Sequence, residues 1–490
     1  MRATVRVPLV LAAALGLPAS LAQAQGAAPT AASITPPALG AVRPLVLPQL
    51  VERTLPNGLR LVIVEHHELP VLDAVLVVRT GPEADPAAKM GLATLTANLL
   101  DEGAGGRDAL AIADQAAFLA IGLRTGANFE QGTVTLHTTT ATRDSALALM
   151  ADVALRPTFA QKDFDRLKQE RLAALLQEQD RGPALADRGF TALVFGLDHP
   201  FGRNANGSRE TVEAITRDDV ATFWGSWYRP NNATLVLVGD LTVPQAEALA
   251  RRHFGAWERA PLPTIAAYPV PRSRSEPRAT TVTIVDRPKA AQSSFRIGGL
   301  GVTRNTPDYY PLMVMNTMLG GSFTSRLNTT LREKKGYTYG ASSAFLMRRT
   351  AGSFVAFADV ASAKTDSALI EFLRELKGIR EAAPAEELAK VKRYLQLGYA
   401  EGFETPAAIA AQVAALVPAG IPLATLGAYQ ARIGAVTAAD VQRVARRYVT
   451  PDSLTIVIAG DRARIEAGLK AANVAPVEVR DSRGRPAGTP

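Results

Sequence analysis

Tyr228-Arg-Pro-Asn-Asn-Ala-Thr-Leu-Val-Leu-Val-Gly-Asp240 is answered about 220 residues later by Tyr448-Val-Thr-Pro-Asp-Ser-Leu-Thr-Ile-Val-Ile-Ala-Gly-Asp461. Ahead of each stretch stands a matching segment, Thr216-Arg-Asp-Asp-Val220 in the first copy and Thr437-Ala-Ala-Asp-Val441 in the second. In both copies a threonine N-cap opens a short helix, Tyr and Pro end it, and a β-branched run closes on Gly-Asp. Solenoid units recur every roughly 20–50 residues, so a repeat this long is a duplicated domain. The sequence predicts two similar halves.

Outside the repeat, the amino terminus has the layout of an export signal. Arg2 and Arg6 precede an apolar run from Val7 to Leu17, and Ala22-Gln23-Ala24 offers a cleavage site, which sets residues 1–24 aside as a signal peptide. The run is short for a membrane span and nothing later is long enough, so the expectation is an exported soluble protein, periplasmic in a bacterium. The net charge of +8 is spread thinly, without a basic stripe or interleaved aromatics, which argues against a nucleic-acid face. With no cysteine, the chain has neither disulfides nor thiolate metal sites.

Residues 25–49, rich in Ala and Pro, read as an extended arm. Residues 50–258 form the first half, beginning at a strand–turn–strand signal around Asn57-Gly58. Strands are expected at 59–65, 71–79 and 132–140, and helices at 87–101, 109–121 and 164–179, the last halted by Gly182-Pro183. A linker, 259–279, carries Pro261, Pro263, Pro269, Pro271 and Pro277. The second half, 280–472, restarts with strands at 280–285 and 293–298 and a helix at 309–318. Residues 473–490 read as a flexible tail. The fold class is α+β, with antiparallel sheet layers covered by helices in each of two homologous halves.

Familiar catalytic signatures are missing. There is no nucleophile elbow and no phosphate loop, and Gly103, Gly105 and Gly106 do not complete a dinucleotide fingerprint. His67-Glu68 begins like a zinc helix, but Pro70 interrupts it and no second His follows four positions on. The informative stretch is Gly91-Leu-Ala-Thr-Leu-Thr-Ala-Asn-Leu-Leu-Asp-Glu-Gly103. It resembles the zinc helix of the pitrilysin/insulinase (inverzincin) metallopeptidases, which read Gly-Leu-Ala-His-x-x-Glu-His there. Further likeness lies in Leu55-Pro-Asn-Gly58, Gly126-Ala-Asn128, Phe164 with Glu170-Arg171, and Asp198-His-Pro-Phe-Gly202. The second half adds Leu319-Gly-Gly-Ser-Phe-Thr-Ser-Arg-Leu327 and Leu331-Arg-Glu-Lys-Lys-Gly-Tyr-Thr-Tyr339. The resemblance spans about residues 50 to 465 and implies a clam-shell of two halves that forms half of a chamber.

The resemblance also marks what has changed. In the family motif two histidines at i and i+4 bind one zinc, and the intervening Glu activates its water. Here the histidine positions are Thr94 and Asn98, and the general-base position is Ala97. The third ligand, a Glu seven residues after an acidic position, maps from Glu170 to Gln177. Neutral hydroxyl and amide groups are poor zinc donors, and Ala97 can take no proton. No cofactor is therefore expected on this chain, and zinc is expected in a partner subunit. An Arg and a Tyr that the family directs at substrate map to Arg332 and Tyr339, able to offer donors to a carbonyl and to a developing oxyanion. The strand edge near Ala127 and Asn128 is the one that takes peptide by β-addition in the family. Together these imply a non-catalytic subunit in a heterodimer with a zinc-bearing relative, acting on unfolded peptides. The alternative is a stand-alone or homodimeric peptide-binding protein.

Overall fold

The two repeated stretches become equivalent strands in two equivalent sheets. The computed structural model of the chain describes residues 40–265, 267–276 and 279–486. The first-half strands are β1 (Leu50–Thr54), β2 (Arg60–Glu65), β3 (Val71–Val78), the two-residue β4 (Gly103–Ala104) and β5 (Arg107–Asp108), β6 (Gly122–Asn128), β7 (Gln131–Thr139) and β8 (Ala233–Gly239). The second half supplies β9 (Thr281–Asp286), β10 (Gln292–Leu300), β11 (Thr338–Met347), β12 (Gly352–Ala361), β13 (Thr455–Gly460) and β14 (Val477–Arg480). The strand orders are β1-β2-β8-β3-β7-β6 and β11-β12-β10-β13-β9-β14. Five strands superpose in order and direction: β2-β8-β3-β7-β6 corresponds to β9-β13-β10-β12-β11. In both sets the first pair is parallel and the other three are antiparallel.

The repeats also share their local cause. Thr216 Oγ1 accepts from Asp219 N at 3.2 Å while Asp219 accepts from Thr216 N at 2.8 Å, opening the helix Arg217–Trp227. Thr437 and Asp440 make the same reciprocal pair at 3.1 Å each way, opening Ala438–Tyr448. Each box satisfies N–H groups the first turn leaves unbonded. The following strands, β8 and β13, sit at the same interior place in each sheet.

The sixth strands break the symmetry. β1 lies antiparallel to β2, whereas β14 lies parallel to β9. β14 falls in the stretch 473–490 expected as a flexible tail, where Val477 and Val479 pack against the second core between charged neighbours. Gly182-Pro183, read as a stop, instead starts the helix Gly182–Phe195, since proline in a first helical turn loses no hydrogen bond. The helix expected over 87–101 is confined to Leu92–Asn98.

The halves are not independent layers. The helix Gly182–Phe195, from the first half, packs on β10 and β13, burying Leu185, Ala186 and Phe190 against Val285, Val355 and Val457. The helix Pro406–Leu416, from the second half, packs on β3 and β8, burying Ile409, Ala410 and Val413 against Val62, Val75 and Val236. Each half thus lends a helix to the other's sheet. Strands covered on both faces lose in/out alternation, which is why β8 reads as an unbroken apolar run. Residues 44–490 form one compact unit in consequence; the remaining unit is 1–43, of which only 40–43 are described. The proposed signal peptide and residues 25–39 of the arm lie outside the described residues. Among the described residues, no helix is long and apolar enough to cross a membrane.

Candidate functional site

The helix Leu92–Asn98 starts at Gly91, whose φ of +104° favours glycine; a Cβ there would also lie 2.8 Å from Asn206 O. Its first turn is tied down by the buried Asp85 carboxylate, which accepts from Gly91 N at 2.8 Å and Ala93 N at 2.9 Å. Burial pushes the Asp85 carboxyl up, to about 8, against the pull of these backbone N–H groups. Thr94 is buried, and Ala97, at 0% exposure, is sealed in the core with no proton-accepting group.

The long helix Gln161–Glu178 sends Arg171 to Thr94 and Asn98, the two positions mapped above onto ligand histidines. Its Nη1 donates to Thr94 Oγ1 at 2.9 Å and to Asn206 Oδ1 at 3.0 Å. In the orientation that satisfies both its polar atoms, the Asn98 amide accepts from Arg171 Nη2 at 3.0 Å and donates to Thr94 O at 3.3 Å. One guanidinium therefore bridges positions i and i+4 of the early helix. Thr94 spends its own proton on Gly91 O, 3.0 Å away, which leaves its lone pairs for Arg171.

Gln177 is not part of this arrangement. It is exposed, like Glu170, whose carboxylate pairs with Arg166 at 3.0 Å. The helix period explains this, because 170 and 177 share one face while 164, 171 and 178 share another. Glu178 stands on the Arg171 face, pairs with Arg188 and accepts from Asn204 Nδ2 at 3.1 Å. Burial pulls the Arg171 pKa down and the Glu178 charge opposes it. Glu178 and Asn206 are residues that motif matching passes over, and Arg171, though part of a matched stretch, received no role from it. The seven-residue step from Phe164 through Arg171 to Glu178 was the available signal.

The pair from the second half stands elsewhere. Arg332 lies in a π-helical turn, Thr329–Lys334, with its guanidinium carbon 4.5 Å from the ring centre of the exposed Phe323 and its Nε 3.3 Å from Glu333. Tyr339, the second residue of β11, lies in a register shift between Thr338 and Ala341 and is 93% exposed. A bulge of this kind re-aims side chains and is common beside functional sites. Gly320 lets the preceding turn approach β11: a Cβ there would fall 2.3 Å from Ser343 N.

Ala127 and Asn128 lie on β6, not on the strand that follows them. β7 is interior, between β3 and β6, so the sheet edge is β6 itself. The Asn128 side chain closes the β6–β7 turn, accepting from Glu130 N at 3.0 Å and Gln131 N at 3.2 Å. Any peptide contact here falls to the β6 backbone, against which the early helix packs.

These residues do not fit a zinc ion. A hydroxyl and an amide are the donors on offer, and a fixed cation lies about 3 Å from both. Among the described residues no three His, Asp or Glu side chains converge in a way that could hold a metal. His67, His137 and His253 instead pair with Asp240, Asp73 and Asp144. A cavity of about 940 Å³ is lined by Leu172, Leu175, Leu176, Arg188 and Arg203 among others, but by none of Thr94, Asn98, Arg332 or Tyr339.

Residues 214–395 match the family model described as the peptidase M16 inactive domain. An uncharacterised zinc protease of Mycobacterium leprae is 29% identical over 316 residues, covering 62% of this chain and 68% of that protein. The non-peptidase homolog YmxG of Helicobacter pylori is 28% identical over 279 residues, covering 56% and 62% respectively. The crystal structure of a peptidase M16 inactive domain from Pseudomonas fluorescens matches with a TM-score of 0.77 and 27% identity, over 84% of this chain and 98% of that one.

Proposed function

From the premise that this chain belongs to the M16 (pitrilysin/insulinase) peptidase family, as an inactive member, we propose that it is the non-catalytic subunit of an exported zinc-dependent peptidase. A partner of the same family carries the intact inverted motif and the zinc. This chain closes the chamber around an unfolded peptide and contacts it through Arg332 and Tyr339. The observation that carries the reading is the contrast between the two sites. The metal positions are filled from within by Arg171, whereas Tyr339 projects at 93% exposure on a bulged strand end. A tyrosine in ordinary packing is mostly covered, and one held this far out has its hydroxyl free for another molecule.

The division of labour follows from chemistry. Hydrolysis needs a metal-bound water and a base, and both come from the partner. Arg332 offers planar donors to peptide carbonyls, and Tyr339 a hydroxyl to the oxyanion. The β6 backbone offers sequence-indifferent hydrogen bonds to an extended peptide.

The test is to recover the tagged chain from extracts of its native source, identify what accompanies it, and measure zinc and peptide turnover in the complex. Expected are one zinc-bearing relative, and turnover that falls by about 10²–10³-fold in Arg332→Ala or Tyr339→Phe complexes while zinc content is unchanged. Normal turnover in both variants overturns the assignment of those side chains. A homodimer that ignores every zinc-bearing relative would leave the alternative, a peptide-binding protein without proteolysis.

A further inference from the structure

We propose that Arg171 is this chain's built-in replacement for a metal ion: a fixed cation that crosslinks the early helix, the long helix and the loop at residues 204–207, and that by itself keeps a divalent metal out. The inference takes from the preceding reading only the mapping of Thr94 and Asn98, and its test uses this chain alone, so either proposal can fail without the other.

The geometry is that of a small coordination centre. Thr94 Oγ1, Asn206 Oδ1 and the Asn98 amide oxygen converge on one guanidinium at 2.9, 3.0 and 3.0 Å. All three are neutral oxygens with lone pairs aimed at the cation, the proper complement of its N–H groups. Guanidinium is planar, permanently charged and weakly hydrated, so it tolerates partial burial that an ammonium resists. The carboxylate such a charge calls for is present two turns away on the same helix face, where Glu178 interacts with it electrostatically. Loop residue Asn206 is held in turn by Asn204, whose Oδ1 accepts from Asn206 N at 3.0 Å, and Asn204 also donates to Glu178. The ring closes through these contacts: helix, guanidinium, loop, carboxylate, helix.

Two consequences follow. The scaffold holds the two helices together without a metal, so chelators leave its stability unchanged. Restoring histidines at 94 and 98 does not suffice to restore metal binding, because the guanidinium remains between them and repels a dication at contact distance.

Zinc itself is the probe. Purified chain carrying Thr94→His and Asn98→His is titrated with zinc by calorimetry, in the Arg171 and in the Arg171→Ala background. Two histidines at i and i+4 are enough for measurable binding, and affinity is expected to be at least about tenfold tighter once Arg171 is gone. Equal affinity in the two backgrounds, including no binding in either, overturns the exclusion. In a second arm, Arg171→Ala and Arg171→Lys are made in the otherwise unaltered chain. Amide exchange at residues 92–98 is expected to accelerate in both, since lysine keeps the charge but not the planar fork. Unchanged exchange in both overturns the crosslink, and this arm decides alone if the histidine variants do not fold.

Discussion

His199 is 2% exposed, boxed by the rings of Phe195, Phe201 and Tyr268, with its Nδ1 accepting from Phe201 N at 3.1 Å. That bond requires the ring nitrogen to be unprotonated. Burial, with the Arg348 and Arg203 charges nearby, pushes the imidazole down from 6.5 to about 4. Between those values the unfolded chain holds a proton that the folded chain does not. This residue's contribution is therefore intact above about pH 6.5 and is lost as pH falls toward 4, by up to about 1.4 kcal/mol per pH unit. A melting-temperature series from pH 7.5 to 4.5 should fall less steeply in His199→Asn, whose amide oxygen still accepts from Phe201 N; parallel curves would contradict the role given to the ring. Gly91 poses a backbone test. At φ +104° and with Asn206 O in the way of a Cβ, Gly91→Ala should cost about 1–3 kcal/mol in denaturant unfolding. It should also displace the loop that holds Arg171, visible as faster amide exchange around residue 206.

Two hairpin tips meet where the halves join. Arg348, at the β11–β12 turn, lies between the rings of Phe129 and Phe201, 4.4 and 4.3 Å from their centres, and burial pulls it down to about 10. Its neighbour Arg349 donates to the buried Glu83 at 2.8 Å, and Glu83 also accepts from Tyr268 OH at 3.0 Å. The Arg349 backbone N–H reaches Glu130 in the β6–β7 turn. This clasp fixes the end of β6, the edge that carries Ala127 and Asn128. Arg349→Ala should cost about 1–3 kcal/mol, since it strips one partner from a buried carboxylate. Hydrogen exchange should rise at residues 128–131 and stay unchanged in β12 and β13; a uniform rise would mean global destabilisation instead. None of this was legible in the sequence, because a clasp depends on contacts between residues far apart along the chain. What was legible were elements with local causes: the threonine N-caps, the Asn57-Gly58 turn and the β-branched runs. β6 escaped notice because Gly122, Gly126 and Asn128 make it read as loop, and only pairing with β7 makes it a strand. Gln177, mapped as the third ligand position, stands exposed on a different helix face from Arg171, because flanking motifs fix position along a helix but not which face meets its neighbour.

The duplication predicts two halves, and a duplication alone would let them unfold separately. The exchanged helices forbid that. Phe190 belongs to the first half by sequence but is 2% exposed against Val457 and Val355 of the second sheet, while Ile409 and Val413 of the second half bury the back of the first. Removing either helix strips one face from the other half's sheet, so neither core is complete without both chains of contact. The sixth strands act in the same sense. β1 and β14 come from opposite ends of the described residues and cover the parallel pair of each sheet, which leaves β6 and β11 as the corresponding edges. Ala127 and Asn128 lie on one of those edges and Tyr339 on the other, with Arg332 in the turn that leads to it, so their spacing depends on the halves remaining one body. Calorimetry should therefore show one endotherm whose measured and van't Hoff enthalpies agree. Phe190→Ala, expected to cost roughly 3–5 kcal/mol, should move that whole endotherm down without splitting it. Tryptophan fluorescence provides the local check, because Trp224, Trp227 and Trp257 all lie in the first half, away from the substitution. Their transition should shift by the same amount as the calorimetric one. A tryptophan signal that stays put while a second endotherm moves would show two independent halves, and with them the loss of any fixed geometry between β6 and Tyr339.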